Sequence, residues 1–289
     1  MISRTIAFIA GACAALSATA ASAESADWYR GGWKTETGNP RIYEFVTRDR
    51  AVTGYTCTQC ADGTTLASLS GTFDEAGGIA FTVRHLNLDG SLVAAENLTA
   101  KLSHGKLVVS GGQGEQVTIK DLRGPTPGAY FQSILPPDAP PVPILKPAGG
   151  GAGGPPPPYV QPATWRQLTE ADVAGVWIGF GVGMEKQYFV IRRDGDRLFG
   201  LACGRCDNPY THGSLENFRI TGDVLEFDIV HEDWGDGKVL PFNRHVKANI
   251  AMNELHMDAR RPDQSGPGIV ASLIGPIAIE ATRGNIYLP

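Results

Sequence analysis

Cys57-Thr-Gln-Cys60 returns as Cys203-Gly-Arg-Cys206, and the offset of 146 residues carries much of the chain with it. At that offset Gly54 matches Gly200, Ser68-Leu69 matches Ser214-Leu215, Phe81 matches Phe227 and His85 matches His231. Gly31-Gly32-Trp33 matches Gly175-Val176-Trp177 once a two-residue gap is allowed, and segment 117–123 aligns with 277–283 at an offset of 160. Matches that keep their order along a chain of 289 residues point to one folding unit used twice.

The segments around the two copies have a different composition. Residues 1–23 have a positive Arg4, an apolar stretch over 6–16 and Ala21-Ser22-Ala23 before Glu24, the pattern of a cleaved export signal. Cys13 lacks the large aliphatic residue that usually precedes a lipidated cysteine. No later segment has 18 consecutive apolar residues, so no membrane-spanning helix is expected. Residues 125–163 hold thirteen prolines and the run Gly149-Gly-Gly-Ala-Gly-Gly154, a semi-extended spacer with one flexible joint. The expected organisation is a signal at 1–23, a first domain at 24–124, a Pro/Gly-rich linker at 125–163 and a second domain at 164–289.

Each copy reads as strands. In the second they fall near 174–180, 187–193, 196–203, 214–220, 223–231, 242–251, 253–260 and 275–282, with turn signals at Asp194-Gly195 and Gly222-Asp223. Leu225, Phe227, Ile229 and His231 share one face while Glu226 and Asp228 take the other, so one face is buried and the other wet. Eight successive strands with short connections close well as an up-and-down barrel, which removes exposed edges. The expected fold is all-β: two tandem eight-stranded antiparallel barrels.

The Gly-x-Trp opening of each copy, followed by eight meandering strands, resembles the calycins, the group that contains lipocalins and avidins. The resemblance implies that Trp33 and Trp177 plug one end of each barrel, that Arg123 and Arg283 beyond the last strands pack over them, and that a pocket takes a small, often apolar ligand. Paired CxxC motifs are not part of that pattern.

Strand direction alternates in such a barrel, so residues can be sorted by end. Cys203, Cys206, His212, His231, Asp233, Trp234 and Arg244 are expected at the open end of the second copy. Their counterparts in the first are Cys57, Cys60, His85 and Asn97. Cys57 with Cys60 and Cys203 with Cys206 suit two local disulfides in an exported chain. A zinc site with His212 or His231 and a redox-active dithiol are the competing readings. Alternation turns His231 and His85 inward, where an imidazole can exchange protons with a ligand. Arg244 shares the inward parity of Val246 and can hold an anionic group, Asp233 can orient His231, and Tyr188 and Trp234 can wall a ligand. Segment 261–275 is about twelve residues longer than its counterpart and is read as a loop over the second mouth, making that barrel the expected working one.

A net charge of -5 with no basic block argues against nucleic acid as a partner. Phosphate loops, serine nucleophile elbows and His-Glu-x-x-His motifs are absent from the sequence, so no cofactor is expected. The leading expectation is binding of a small apolar or aromatic molecule at a barrel mouth or in a cleft between domains. The alternatives are a cofactor-independent lyase or isomerase using His231, Arg244 and Asp233, and a structural protein of the cell envelope. A homodimer stays open.

Overall fold

A computed structural model describes residues 29–36, 40–74, 77–112, 114–119, 167–180, 186–204, 206–235, 238–265 and 268–284, the side chains of 180, 186, 210, 231–242 and 269 excepted. The signal at 1–23 and the linker at 125–163 therefore lie outside the described residues. Strands β1 (Gly31–Thr35), β2 (Ile42–Arg48), β3 (Ala51–Cys57), β4 (Ala67–Phe73), β5 (Ile79–Leu86), β6 (Leu92–Ser103), β7 (Lys106–Gly111) and β8 (Gly114–Ile119) follow one another round a closed antiparallel barrel. A second closed barrel is built from β9 (Gly175–Phe180), β10 (Lys186–Asp194), β11 (Arg197–Cys203), β12 (His212–Thr221), β13 (Val224–Gly235), β14 (Lys238–Ala251), β15 (Glu254–Arg260) and β16 (Ile269–Ile277). The two tandem eight-stranded barrels are thus present.

Alternation along the strands fills each interior. Trp33, Tyr43, Phe45, Leu69, Phe81 and Val83 form the first core, and Trp177, Phe189, Ile191, Leu215, Phe227 and Val246 the second. The duplication extends to the register: Trp33 faces Tyr43 and Tyr43 faces Thr56, as Trp177 faces Phe189 and Phe189 faces Ala202. Each tryptophan donates its indole N–H to the carbonyl four residues earlier, Trp33 to Tyr29 and Trp177 to Val173, both at 2.8 Å. Those bonds satisfy the one polar atom that each ring carries into the core.

Two expectations for the last strand need correction. β16 spans Ile269–Ile277, not 275–282, and residues 279–282 form a 3-10 helix. Pro276 has no N–H to give the ladder, and pairing with β9 breaks between Ile274 and Ile277. By register Thr118 corresponds to Leu273, since they face Leu107 and Leu255, so the match of 117–123 with 277–283 is not structurally equivalent. The loop before β16 accordingly covers 261–268, shorter than the 261–275 read from sequence. Arg283 is exposed rather than packed over Trp177, and Arg123 lies outside the described residues.

The barrels are joined side by side. β2 is buried on both faces, and outward Ile42, Tyr55, Val190, Phe199 and Leu201 enter one cluster made by both barrels. Each large apolar side chain fully buried there contributes roughly 1.5–3 kcal/mol. Polar contacts fix the alignment. The guanidinium of Arg192, 3% exposed, donates to the carbonyls of Leu66 at 2.6 Å, Leu86 at 2.9 Å and Asn87 at 2.8 Å. Asp194 accepts from Ser68 at 2.7 Å and from Arg84 at 3.0 Å. The chain after β16 also docks on the first barrel, where Gly63 N–H donates to Thr282 Oγ1 and Gly284 N–H to Asp62.

Candidate functional site

Both CxxC pairs are disulfides, Cys57–Cys60 and Cys203–Cys206, each with Cα atoms 5.1 Å apart. All four cysteines are buried in the cluster between the barrels, turned outward from the barrel axes. Closing so short a loop contributes about 2 kcal/mol by chain entropy, and burial shields the sulfurs from exchange with other thiols. Among the described residues no three His, Cys, Asp or Glu side chains gather as a metal site.

Several residues expected at the second mouth sit elsewhere. His212 pairs with Cys203 across β11 and β12, shares its outward direction, and is buried between the barrels. Its Nε2–H donates to the Cys206 carbonyl at 3.1 Å, which leaves Nδ1 to accept from the Tyr55 hydroxyl at 2.9 Å. Tyr188 belongs to the same cluster, where burial pushes its phenol pKa up. His212 and Tyr188 therefore join the two barrels and do not wall the second mouth. His231, Asp233 and Trp234 lie in β13, opposite Phe242, Leu240 and Val239, and their side chains are outside the described set. Arg244 faces Ile229 on the neighbouring strand, and burial, then the charge of Arg261, press its pKa down. His245 takes the outer face and pairs with Asp228 at 2.9 Å.

Among the described residues, a polar cluster converges at the mouth of the first barrel. The end of β1, the starts of β2, β6 and β8 and the ends of β3, β5 and β7 meet there. Arg41 Nη1 donates to Glu96 Oε2 at 3.1 Å and Arg41 Nε to Thr56 Oγ1 at 3.1 Å. The other Glu96 oxygen meets His85 Nε2 at 2.5 Å, so the expected inward His85 is part of this cluster. The guanidinium stands 5.1 Å from the centre of the Tyr43 ring, and the Tyr43 hydroxyl donates to Gln116 Oε1 at 2.9 Å. Burial works to raise the Glu96 carboxyl, but the hydrogen bonds and charges of Arg41 and His85 outweigh it and hold the pKa below the ordinary value. Burial, partly opposed by Arg41, pushes the Tyr43 phenol up to about 12, so it remains a donor at neutral pH.

These groups border a cavity of about 310 Å³, with Arg41, Tyr43, Glu96 and Gln116 beside Leu98 and Val109. Register gives the second barrel no copy of the cluster: Thr56 becomes Ala202, Tyr43 becomes Phe189, Gln116 becomes Ala271 and Glu96 becomes Arg244. A second cavity of about 230 Å³ lies between the barrels against Gly54, Leu69, Phe199 and Glu216. A groove of about 560 Å³ across β4 to β7 is lined without any ionisable side chain.

No family model, curated protein or solved structure matches this chain. The sequence reading missed Arg41, Glu96, Thr56, Tyr43 and Gln116. The available signal was parity: Arg41 alternates with Tyr43 and Phe45, and Glu96 with Leu98 and Ala100, which puts two charges on inward positions.

Proposed function

We propose that this is an exported small-molecule-binding protein whose apolar or aromatic ligand sits in the mouth of the first barrel. The observation that carries the reading is the cavity of about 310 Å³ where Arg41 and Glu96 meet Leu98 and Val109. Ligand sites commonly combine an apolar wall with a few convergent polar groups, and a volume near this is at the small end of their range. Export to the periplasm or beyond is supported by the pattern at 1–23 and by the two disulfides. A calycin-like relationship is supported by the two Gly-x-Trp openings and the eight-strand meander.

Filling the cavity tests the reading. Leu98→Trp should lower the affinity of the mature protein for acetophenone by about tenfold or more, read by NMR titration, while circular dichroism stays that of a β-barrel. Unchanged binding by the folded variant would show that the mouth is not the site.

A further inference from the structure

We infer that the first mouth selects a small neutral molecule whose acceptor oxygen, such as a ketone or amide carbonyl, faces Arg41, with an apolar remainder. This rests on the binding reading above and adds the ligand class to it.

Arg41 spends Nε on Thr56 and Nη1 on Glu96. Its Nη2 is buried and meets no acceptor among the described residues, and because the side chain borders the cavity, a turn of the guanidinium would bring that donor to a ligand. A buried donor in that state is costly, and an acceptor oxygen on a ligand would remove the penalty. Gln116 gives its oxygen to Tyr43, so the group it can offer a ligand is the Nε2 donor. The site thus holds donors on two sides.

Its carboxylate is already paired. One Glu96 oxygen is engaged by Arg41 and the other by His85, so a cationic ligand meets a carboxylate whose charge Arg41 already offsets and is opposed by that guanidinium. The same carboxylate offsets the charge of Arg41, so an anionic ligand gains little from the guanidinium and is opposed by Glu96. A neutral acceptor avoids both costs. Leu98, Val109 and Ala95 supply the apolar wall, and about 310 Å³ admits a molecule of roughly one ring with small substituents.

The test titrates the mature, disulfide-bonded protein with acetophenone, benzoate, benzylammonium and toluene at neutral pH, reading backbone amide shifts. Acetophenone should perturb Arg41, Glu96 and Gln116 and bind about tenfold more tightly than the other three. Arg41→Met should bring acetophenone down to the level of toluene, whereas Glu96→Gln, which removes the opposing charge, should put benzoate ahead of acetophenone. Benzoate, benzylammonium or toluene binding the native mouth as tightly as acetophenone would overturn the ligand class and leave the mouth as a binding site. So would an Arg41→Met variant that keeps full acetophenone affinity. Failure of all four probes to perturb the mouth would overturn both readings.

Discussion

Arg192→Met should split one cooperative unfolding transition into two. The guanidinium reaches from an outward position on the second barrel to four backbone carbonyls of the first, those of Leu66, Leu86 and Asn87 and, at 3.5 Å, Thr64, and among the described residues no carboxylate bonds to it directly. Burial lowers its pKa and the charge of Asp62 partly restores it, so the cation depends on those carbonyls for its solvation. Methionine keeps the stem but takes that donor from the carbonyls of Leu66 and Leu86, where the bonds are buried, and from that of Asn87. The expected cost is about 3–5 kcal/mol, because breaking a buried charged contact strands its partners. Calorimetry should show the single endotherm of the native protein replaced by two, the first lower by on the order of 10 °C. Arg192→Lys should rescue little, since an ammonium lacks the planar fork that reaches separate carbonyls. A single endotherm unshifted in Arg192→Met would mean that the barrels do not stabilise one another through this contact.

Gly54→Ala should be the more damaging of two equivalent substitutions, with Gly200→Ala second. A Cβ on Gly54 would lie 2.0 Å from the Glu44 carbonyl oxygen, and one on Gly200 would lie 2.3 Å from that of Val190. Both atoms are backbone of the paired strand, so relief requires β2 and β3, or β10 and β11, to part. Gly54 also has φ +140, a conformation that an L side chain rarely adopts, which adds to its cost. A destabilisation of roughly 3–5 kcal/mol is expected at Gly54 and somewhat less at Gly200, measured by urea unfolding. Negligible losses at both would show that the close strand approach is not a constraint repeated in both barrels, and equal large losses would show that the φ of Gly54 adds nothing to it.

Much of the fold was legible because two physical signals agree. Alternation along Leu225, Phe227 and Ile229 gave the inner face, and the fixed offset transferred that reading to Phe81 and Val83. The last strand was misread because Ile277 and Ile279 continue an apolar alternation that Pro276 has already disconnected from the ladder. The contact between the barrels escaped for a different reason. Tyr188-Phe-Val-Ile and Leu198-Phe-Gly-Leu-Ala-Cys are continuous apolar runs, and that loss of alternation marks strands buried on both faces. His212 was placed by strand order alone, which gives the end of the barrel but not the direction of the side chain. The first mouth escaped because Arg41 and Glu96 stand 55 residues apart, and a single charge near a strand end does not reveal its partner.

On the proposed reading Arg41, Glu96 and His85 are held together for a ligand and not for the fold. A triple variant, Arg41→Met with Glu96→Leu and His85→Leu, separates the two roles, since replacing an ionic cluster with packed apolar side chains often leaves stability unchanged or raises it. The expected result is a calorimetric unfolding temperature equal to or above that of the native protein, with acetophenone affinity reduced about tenfold. A fall of several kcal/mol in stability while acetophenone still binds the mouth as before would contradict it.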